Sequence, residues 1–229
     1  MTALTNLIAS SGLLPLKAGV FSQLIRYYRL NGAEIWLQFW RHFLISVYGV
    51  LIAAVIAIPL GLLIARKKKL SNTLVGIANV IQTIPSLALM SILMVGLGLG
   101  HTTVIATVAL YSFLPILKNT VTGIRNIPAD LLDAADGMGM TKLQRIRLTE
   151  IPLAMSVIMA GIRNALVVAI GITAVGTFIG AGGLGDIITR GINVAGGTAI
   201  ILAGALPCAL MAVIVDLLLA RLEKQFMPR

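Results

Sequence analysis

A chain of 229 residues that is 58% hydrophobic and 11% charged, with a mean hydropathy of +0.99, is excluded as a soluble domain and reads as an integral membrane protein. Its net charge of +10 would fit a nucleic-acid partner, but the basic residues cluster beside apolar runs, the positive-inside pattern, so no nucleic acid is expected. One cysteine, Cys208, inside an apolar run, excludes an intrachain disulfide.

Residues 1–42 read as an interfacial segment. The apolar stretch Leu4 to Leu16 is too short to span and is broken by Ser10, Ser11, Gly12 and Pro15; it lacks the preceding basic residue and small-residue site of a cleaved signal. Arg26, Tyr27, Tyr28, Arg29, Trp36, Trp40 and Arg41 then mix aromatic and basic side chains, as membrane-surface segments do. Phe43 to Ala65 is uncharged and ends at Arg66, Lys67, Lys68 and Lys69, which predicts a first span anchored on the cytoplasmic side and an external amino terminus. A second uncharged run, Leu74 to about Gly98, contains Pro85, whose missing N–H predicts a kink; kinked helices line pathways, so Pro85 is a pathway candidate. Gly96, Gly98, Gly100 and His101 predict an external turn, and Thr103 to Leu117 a third span ending at Lys118. A fourth span is predicted from Pro152 to about Phe178, a glycine-rich external loop over Gly180 to Gly197, and a fifth span from Thr198 to Ala220. The membrane domain is thus 43–220, followed by a cytoplasmic tail, 221–229. Twelve basic residues fall inside against five outside, consistent with five spans.

Between the third and fourth spans lies a polar interruption, Pro128 to Pro152. Pro128 suits a first helical turn, and Asp130 and Asp133 follow where the helix dipole favours negative charge. Gly137 and Gly139 can end that helix, and Thr141 with Gln144 has the spacing of a capping box for a second. Lys142, Arg145 and Arg147 alternate with Leu143, Ile146 and Leu148, giving one basic and one apolar face. Two short helices on the cytoplasmic side would present a knob to a soluble partner.

Asp133, Ala134, Ala135, Gly139, Glu150, Ile151 and Pro152 resemble the E-A-A-x3-G-x9-I-x-L-P coupling loop of ABC importer permeases, with Asp133, Thr149 and Ile151 departing from the pattern. Residues 34 to 225 resemble more narrowly the Opu-type permeases for glycine betaine, carnitine and choline, on the segments NVIQTIPSLALM, AGIRNALVVAIGITAVGTFIGAGGLGDII and GTAIILAGALPCALMAVIVDLLL. The resemblance implies an all-α integral membrane fold, a five-helix type I ABC importer permease core with a cytoplasmic two-helix coupling loop, here 119–151. It also implies a second permease subunit, in a homodimer or heterodimer, ABC ATPase subunits that receive the loop, and an extracytoplasmic substrate-binding protein. The location implied is a bacterial cytoplasmic membrane. No G-x4-G-K-[ST] loop occurs, so ATP and Mg belong to the ATPase partner; no cofactor, metal or catalytic site is expected on this chain, and it is not an enzyme.

Gly180-Ala181-Gly182-Gly183-Leu184-Gly185 satisfies G-x-G-x-x-G, but a membrane helix rather than a strand precedes it and no acidic residue follows at the required distance. Gly180, Gly182, Gly183 and Gly185 read instead as a flexible external gate or loop. His42 and His101, without acidic or cysteine neighbours, read as interfacial residues. No serine has the surroundings of a hydrolase nucleophile. Arg163 lies about 16 Å along the fourth span; it either pairs with carbonyls at an interface or takes part in gating. Asp216 reads as a charge partner of Arg221, one turn away. A secondary carrier driven by an ion gradient is the alternative, against which stand the lack of an internal repeat and of a carboxylate deep in a span. A scaffold without transport is a third reading. Aromatics in the spans are too scattered for a quaternary-ammonium cage, which points to a separate binding protein for selectivity.

Overall fold

The computed structural model describes residues 16–226, and every regular element among them is helical. Residues 1–15, on which the short apolar stretch and the cleavage question fall, lie outside the described residues. Helix α1, Leu16–Ile64, is two helices joined at Asn31, which leaves helical dihedrals (φ −120°, ψ 17°). The Asn31 amide donates to the Tyr27 carbonyl at 3.2 Å, satisfying one of the acceptors that the kink frees. The aromatic and basic segment before residue 42 is therefore helical on both sides of the kink at Asn31, and its second part runs on into the first span. Its Leu24 and Ile35 are buried.

Helices α2 (Lys68–Thr83) and α3 (Ser86–Leu97) meet at 97° across Ile84 and Pro85, so Pro85 starts a new helix rather than kinking one. Helix α4 runs His101–Arg125, and α5, Ala129–Gly137, opens the polar interruption. Helix α6, Lys142–Arg145, passes through a π turn, Ile146–Glu150, into α7, Ile151–Val175, which closes with a 3₁₀ turn, Gly176–Ile179. Helices α8 (Leu184–Ile192) and α9 (Thr198–Gln225) complete the chain. Among the described residues, four segments are long and apolar enough to cross a membrane, Gly19–Ile64, His101–Arg125, Lys142–Ile179 and Thr198–Gln225; the bent α2–α3 pair makes a fifth if its halves form one span.

Two expectations are corrected by burial. The third span does not end at Leu117: Val121 and Ile124 are buried, Arg125 donates to the Ala65 carbonyl at 2.9 Å and to Ser71, and α4 therefore continues to Arg125. Lys118 is consequently a mid-helix residue. The stretch Gly180–Gly197 is not all loop, because Leu184 and Ile187, both fully buried, pull residues 184–192 into α8 against α9.

Helix α4 is the centre of the molecule, lying between α1 and α7. The contact is close because small residues face it, the usual route to tight packing where lipid removes the hydrophobic drive between helices. A Cβ on Gly49 of α1 would lie 2.4 Å from Val108 Cγ1, and one on Gly161 of α7 would lie 2.7 Å from Asn119 Cβ. A second apolar cluster joins α8 and α9 to the first half of α1 through Leu24, Ile35, Leu184, Ala203 and Met211.

Candidate functional site

The polar interruption folds as a two-helix loop whose turn is closed by backbone geometry. Gly139, at φ +74°, is the left-handed residue after α5; the Met140 N–H reaches the Ala135 carbonyl at 3.2 Å and the Gly139 N–H reaches the Asp136 carbonyl at 2.9 Å, which is a Schellman termination. Thr141 and Gln144 form the capping box on α6. Ala135 is buried, whereas Asp133, Ala134, Gly139 and Pro152 are exposed and Ile151 is half-buried. Glu150 turns inward. Its side chain is only 3% exposed and meets Arg66 at 3.4 Å and Arg145 at 3.2 Å, while Arg145 grips Asp136 with bonds of 2.9 and 2.7 Å. The end of α1, the hinge of the loop and the last turn of α5 are thereby tied through one carboxylate. The π turn ends just before Pro152, whose missing N–H already deprives the preceding turn of a donor. On the outer face, Leu131, Met138, Leu143 and Leu148 are exposed.

At the opposite ends of the spans, the glycine run is held rather than free. Gly183 and Leu184 carry orphan N–H groups at the start of α8. The Gly183 N–H donates to Gln38 Oε1 at 2.7 Å, and the Leu184 N–H donates to His42 Nδ1 at 3.3 Å. With Nδ1 accepting, the proton sits on His42 Nε2, which donates to the Ile170 carbonyl at 2.9 Å. His42, expected at the interface, is fully buried and joins α1, α7 and α8. Gly185 allows backbone contact: a Cβ there would lie 2.0 Å from the Ala174 carbonyl oxygen. Gly180 and Gly182 adopt positive φ, +75° and +70°, and make the turn. Arg190 closes the same side, bridging Glu34 of α1 and Asp186 of α8; its hydrogen bonds to these two carboxylates push its pKa further up, so it stays charged.

Arg163 does not pair with carbonyls. Its guanidinium binds Asp216 through two bonds, 2.6 and 3.1 Å, and Glu223 through a third at 3.2 Å, so α7 is clasped to α9. Asp216 is the partner of Arg163, and the expected pairing with Arg221 is replaced by this two-pronged fit.

Between α2, α4 and α7 the structure opens a polar hollow of about 480 Å³. Asn79 and Gln82 face it from α2, Lys118, Asn119 and Thr122 from α4, and Asn164 from α7. Pro85 lies three residues beyond Gln82, at the bend that ends the α2 wall.

With this geometry in place, comparison with known proteins is decisive. The family of the binding-protein-dependent transport system inner membrane component matches residues 57–228. The chain belongs to that family. Over 206 residues it is 61% identical to the carnitine transport permease protein OpuCD of Listeria monocytogenes, covering 90% of this chain and 92% of that one. It is 59% identical over 209 residues to the glycine betaine/carnitine/choline transport system permease protein OpuCD of Bacillus subtilis, and 57% identical to the choline transport system permease protein OpuBD of the same organism, with 91% of this chain covered in both cases. Those two alignments cover 91% and 92% of the relatives. Among solved structures, the inward-facing MetNI methionine ABC transporter matches in fold with a TM-score of 0.76 at 20% identity, over 85% of this chain and 96% of that one.

For an inner membrane transport component, the polar hollow is the feature that sequence reasoning missed. Asn79, Asn119 and Asn164 lie on three different helices and come together only where those helices cross. Pro115 held a usable signal, because a proline inside a span demands a donor for the carbonyl four residues earlier.

Proposed function

We propose that this chain is the permease subunit of an ATP-driven importer for a quaternary-ammonium osmoprotectant: glycine betaine, carnitine or choline. The observation that carries the reading is 57–61% identity, over nine-tenths of the chain, to permeases named for those solutes. The permease pairs with a second permease subunit, homologous or identical. Its amino terminus is external, and the loop of α5 and α6 faces the cytoplasm, where Asp133, Ala134, Ala135 and Gly139 dock on an ATPase subunit that holds ATP and Mg. The exposed apolar set Leu131, Met138, Leu143 and Leu148 supports such a covered surface. An extracytoplasmic binding protein delivers the solute to the opposite face, beside the glycine run. Alternating access follows from rigid coupling: the Glu150 hub transmits movement of the loop to the end of α1 and the start of α7, and so to the helices around the hollow.

The test is uptake of the three solutes into vesicles containing the complete complex and its binding protein. ATP-dependent uptake, lost in Gly139→Arg while the spans still insert, is the expected result. A Cβ on Gly139 would meet nothing within 4 Å in this chain, so Gly139→Ala, which adds backbone strain and no bulk against the chain itself, is the control for that strain. Uptake that follows an ion gradient without ATP would overturn the reading in favour of a secondary carrier.

A further inference from the structure

We propose that the polar hollow is a passage subsite for a carboxylate, with Lys118 as its counter-charge, so that the permease itself favours carboxylate-bearing solutes over choline. This rests on the osmoprotectant reading and deepens it. Among the described residues Lys118, itself exposed, is the single charged residue lining the hollow, and no carboxylate lies within ion-pair distance of it. The other polar groups are uncharged: the amides of Asn79, Gln82, Asn119 and Asn164 and the Thr122 hydroxyl. Two of those amides are partly committed, Gln82 donating to the Tyr111 carbonyl and Asn119 to the Pro115 carbonyl, both at 2.7 Å.

The three solutes differ at one end. Each carries a trimethylammonium group, which has no N–H to donate and is held by aromatic faces or anionic oxygen. Among the described residues, no aromatic side chain and no carboxylate lines the hollow. Glycine betaine and carnitine also carry a carboxylate, an acceptor that an ammonium and primary amides hold through charge-assisted hydrogen bonds. Choline has a hydroxyl there and a net positive charge, which Lys118 repels. Position agrees with transit: Lys118 lies seven residues, about 10 Å, before the coupling-loop end of α4, and Asn164 about 20 Å into α7. A lysine serving only to anchor the helix at the membrane surface would extend its head away from the interior, and its charge would not distinguish solutes.

The experiment measures maximal uptake of glycine betaine, carnitine and choline at saturating solute, in vesicles holding the whole complex with its binding protein, so that affinity of the binding protein drops out. Wild type, Lys118→Met, Lys118→Gln and Lys118→Arg are compared, with ATPase co-purification as the check on assembly. Removing the charge should lower uptake of the two carboxylates relative to choline by about tenfold, the loss of one charge-assisted hydrogen bond, while Lys118→Arg keeps the wild-type ratio. If Lys118→Met does not assemble, the Gln and Arg variants carry the comparison. An unchanged ratio in an assembled charge-removing variant, including an equal fall for all three solutes, overturns the assignment of Lys118 and leaves the importer reading intact. Failure of the wild type to move any of the three overturns the osmoprotectant reading, and this inference with it.

Discussion

The Gln82 side-chain amide donates to the Tyr111 carbonyl at 2.7 Å, and Tyr111 is the residue four before Pro115. Pro115 has no N–H, so this carbonyl has lost its helical donor, and a side chain from α2 replaces it. The exchange is reciprocal, because the Tyr111 hydroxyl donates to the Ile84 carbonyl at the bend between α2 and α3. The same device recurs at Pro207 of α9, where the Tyr28 hydroxyl of α1 donates to the freed Ala203 carbonyl at 3.3 Å. In an apolar medium, a proline that breaks one helix's ladder thus becomes a point of attachment for another helix.

That logic predicts a specific non-additivity. Gln82→Leu leaves the Tyr111 carbonyl without a donor and should destabilise the protein by about 1 kcal/mol, the scale of an interhelical hydrogen bond in membranes. Pro115→Ala restores the backbone N–H, so adding it to Gln82→Leu should recover much of the loss. Unfolding of the four variants in detergent micelles measures the coupling. Strict additivity would mean that Gln82 acts elsewhere, for example only as a wall of the polar hollow.

Glu150 should matter through rigidity rather than through contact with a partner. It is buried, and both Arg66 and Arg145 converge on it. Glu150→Gln keeps the shape and removes the charge, leaving two arginines near a neutral amide. Arg66 is 39% exposed and can turn to solvent, so the stability cost should stay near 1 kcal/mol. The larger effect should be on transmission: the α5–α6 loop exchanges its amide hydrogens faster, and ATPase activity responds less to loaded binding protein. Unchanged exchange over residues 129–150 would remove the hub from the mechanism.

The glycine run separates two kinds of glycine. Gly185 lies where a Cβ would overlap the Ala174 carbonyl, so Gly185→Ala must push α8 off α7 and should cost about 3 kcal/mol. Gly180 has open space around it and only its φ of +75° to lose, so Gly180→Ala should cost about 1 kcal/mol. Thermal unfolding of the two variants gives the ranking, and the reverse order would refute the packed α7–α8 contact.

The legible and illegible parts of this chain divide along a physical line. Features set by neighbours in sequence can be read: the capping box at Thr141 and Gln144, the helix stop near Gly139, and uncharged runs long enough to span. Features set by helices meeting across the bundle cannot. His42 sits next to Arg41 and near Trp40, so its neighbours point to the membrane surface, while its hydrogen bonds go to residues more than a hundred positions away. Likewise Lys118 reads as a helix end because an apolar run stops there, although the burial of Val121 and Ile124 continues the helix. Proximity in sequence draws Asp216 to Arg221, although Arg163, with no charged residue near it in its own helix, demands a carboxylate from another apolar helix.

Arg163 is the place to test that last relationship. Its two bonds to Asp216 and one to Glu223 hold α7 against α9. Arg163→Ala leaves Asp216 and Glu223, both on α9, without their shared partner and cuts the tie to α7, which should loosen α9. Arg163→Lys supplies the charge but only a point donor, so it should recover part of the loss and not the two-pronged geometry. The double variant Arg163→Gln with Asp216→Asn removes both charges, and an amide pair there should be tolerated better than either single change. If the α5–α6 loop docks the ATPase as proposed, co-purification should persist in all of them, since the loop is untouched, while uptake falls in the order Arg163→Lys, the double variant, then Arg163→Ala. Loss of the ATPase from the Arg163→Ala complex would show that the clasp supports docking. Uptake no better in the double variant than in Arg163→Gln alone would show that Asp216 is not the residue Arg163 serves.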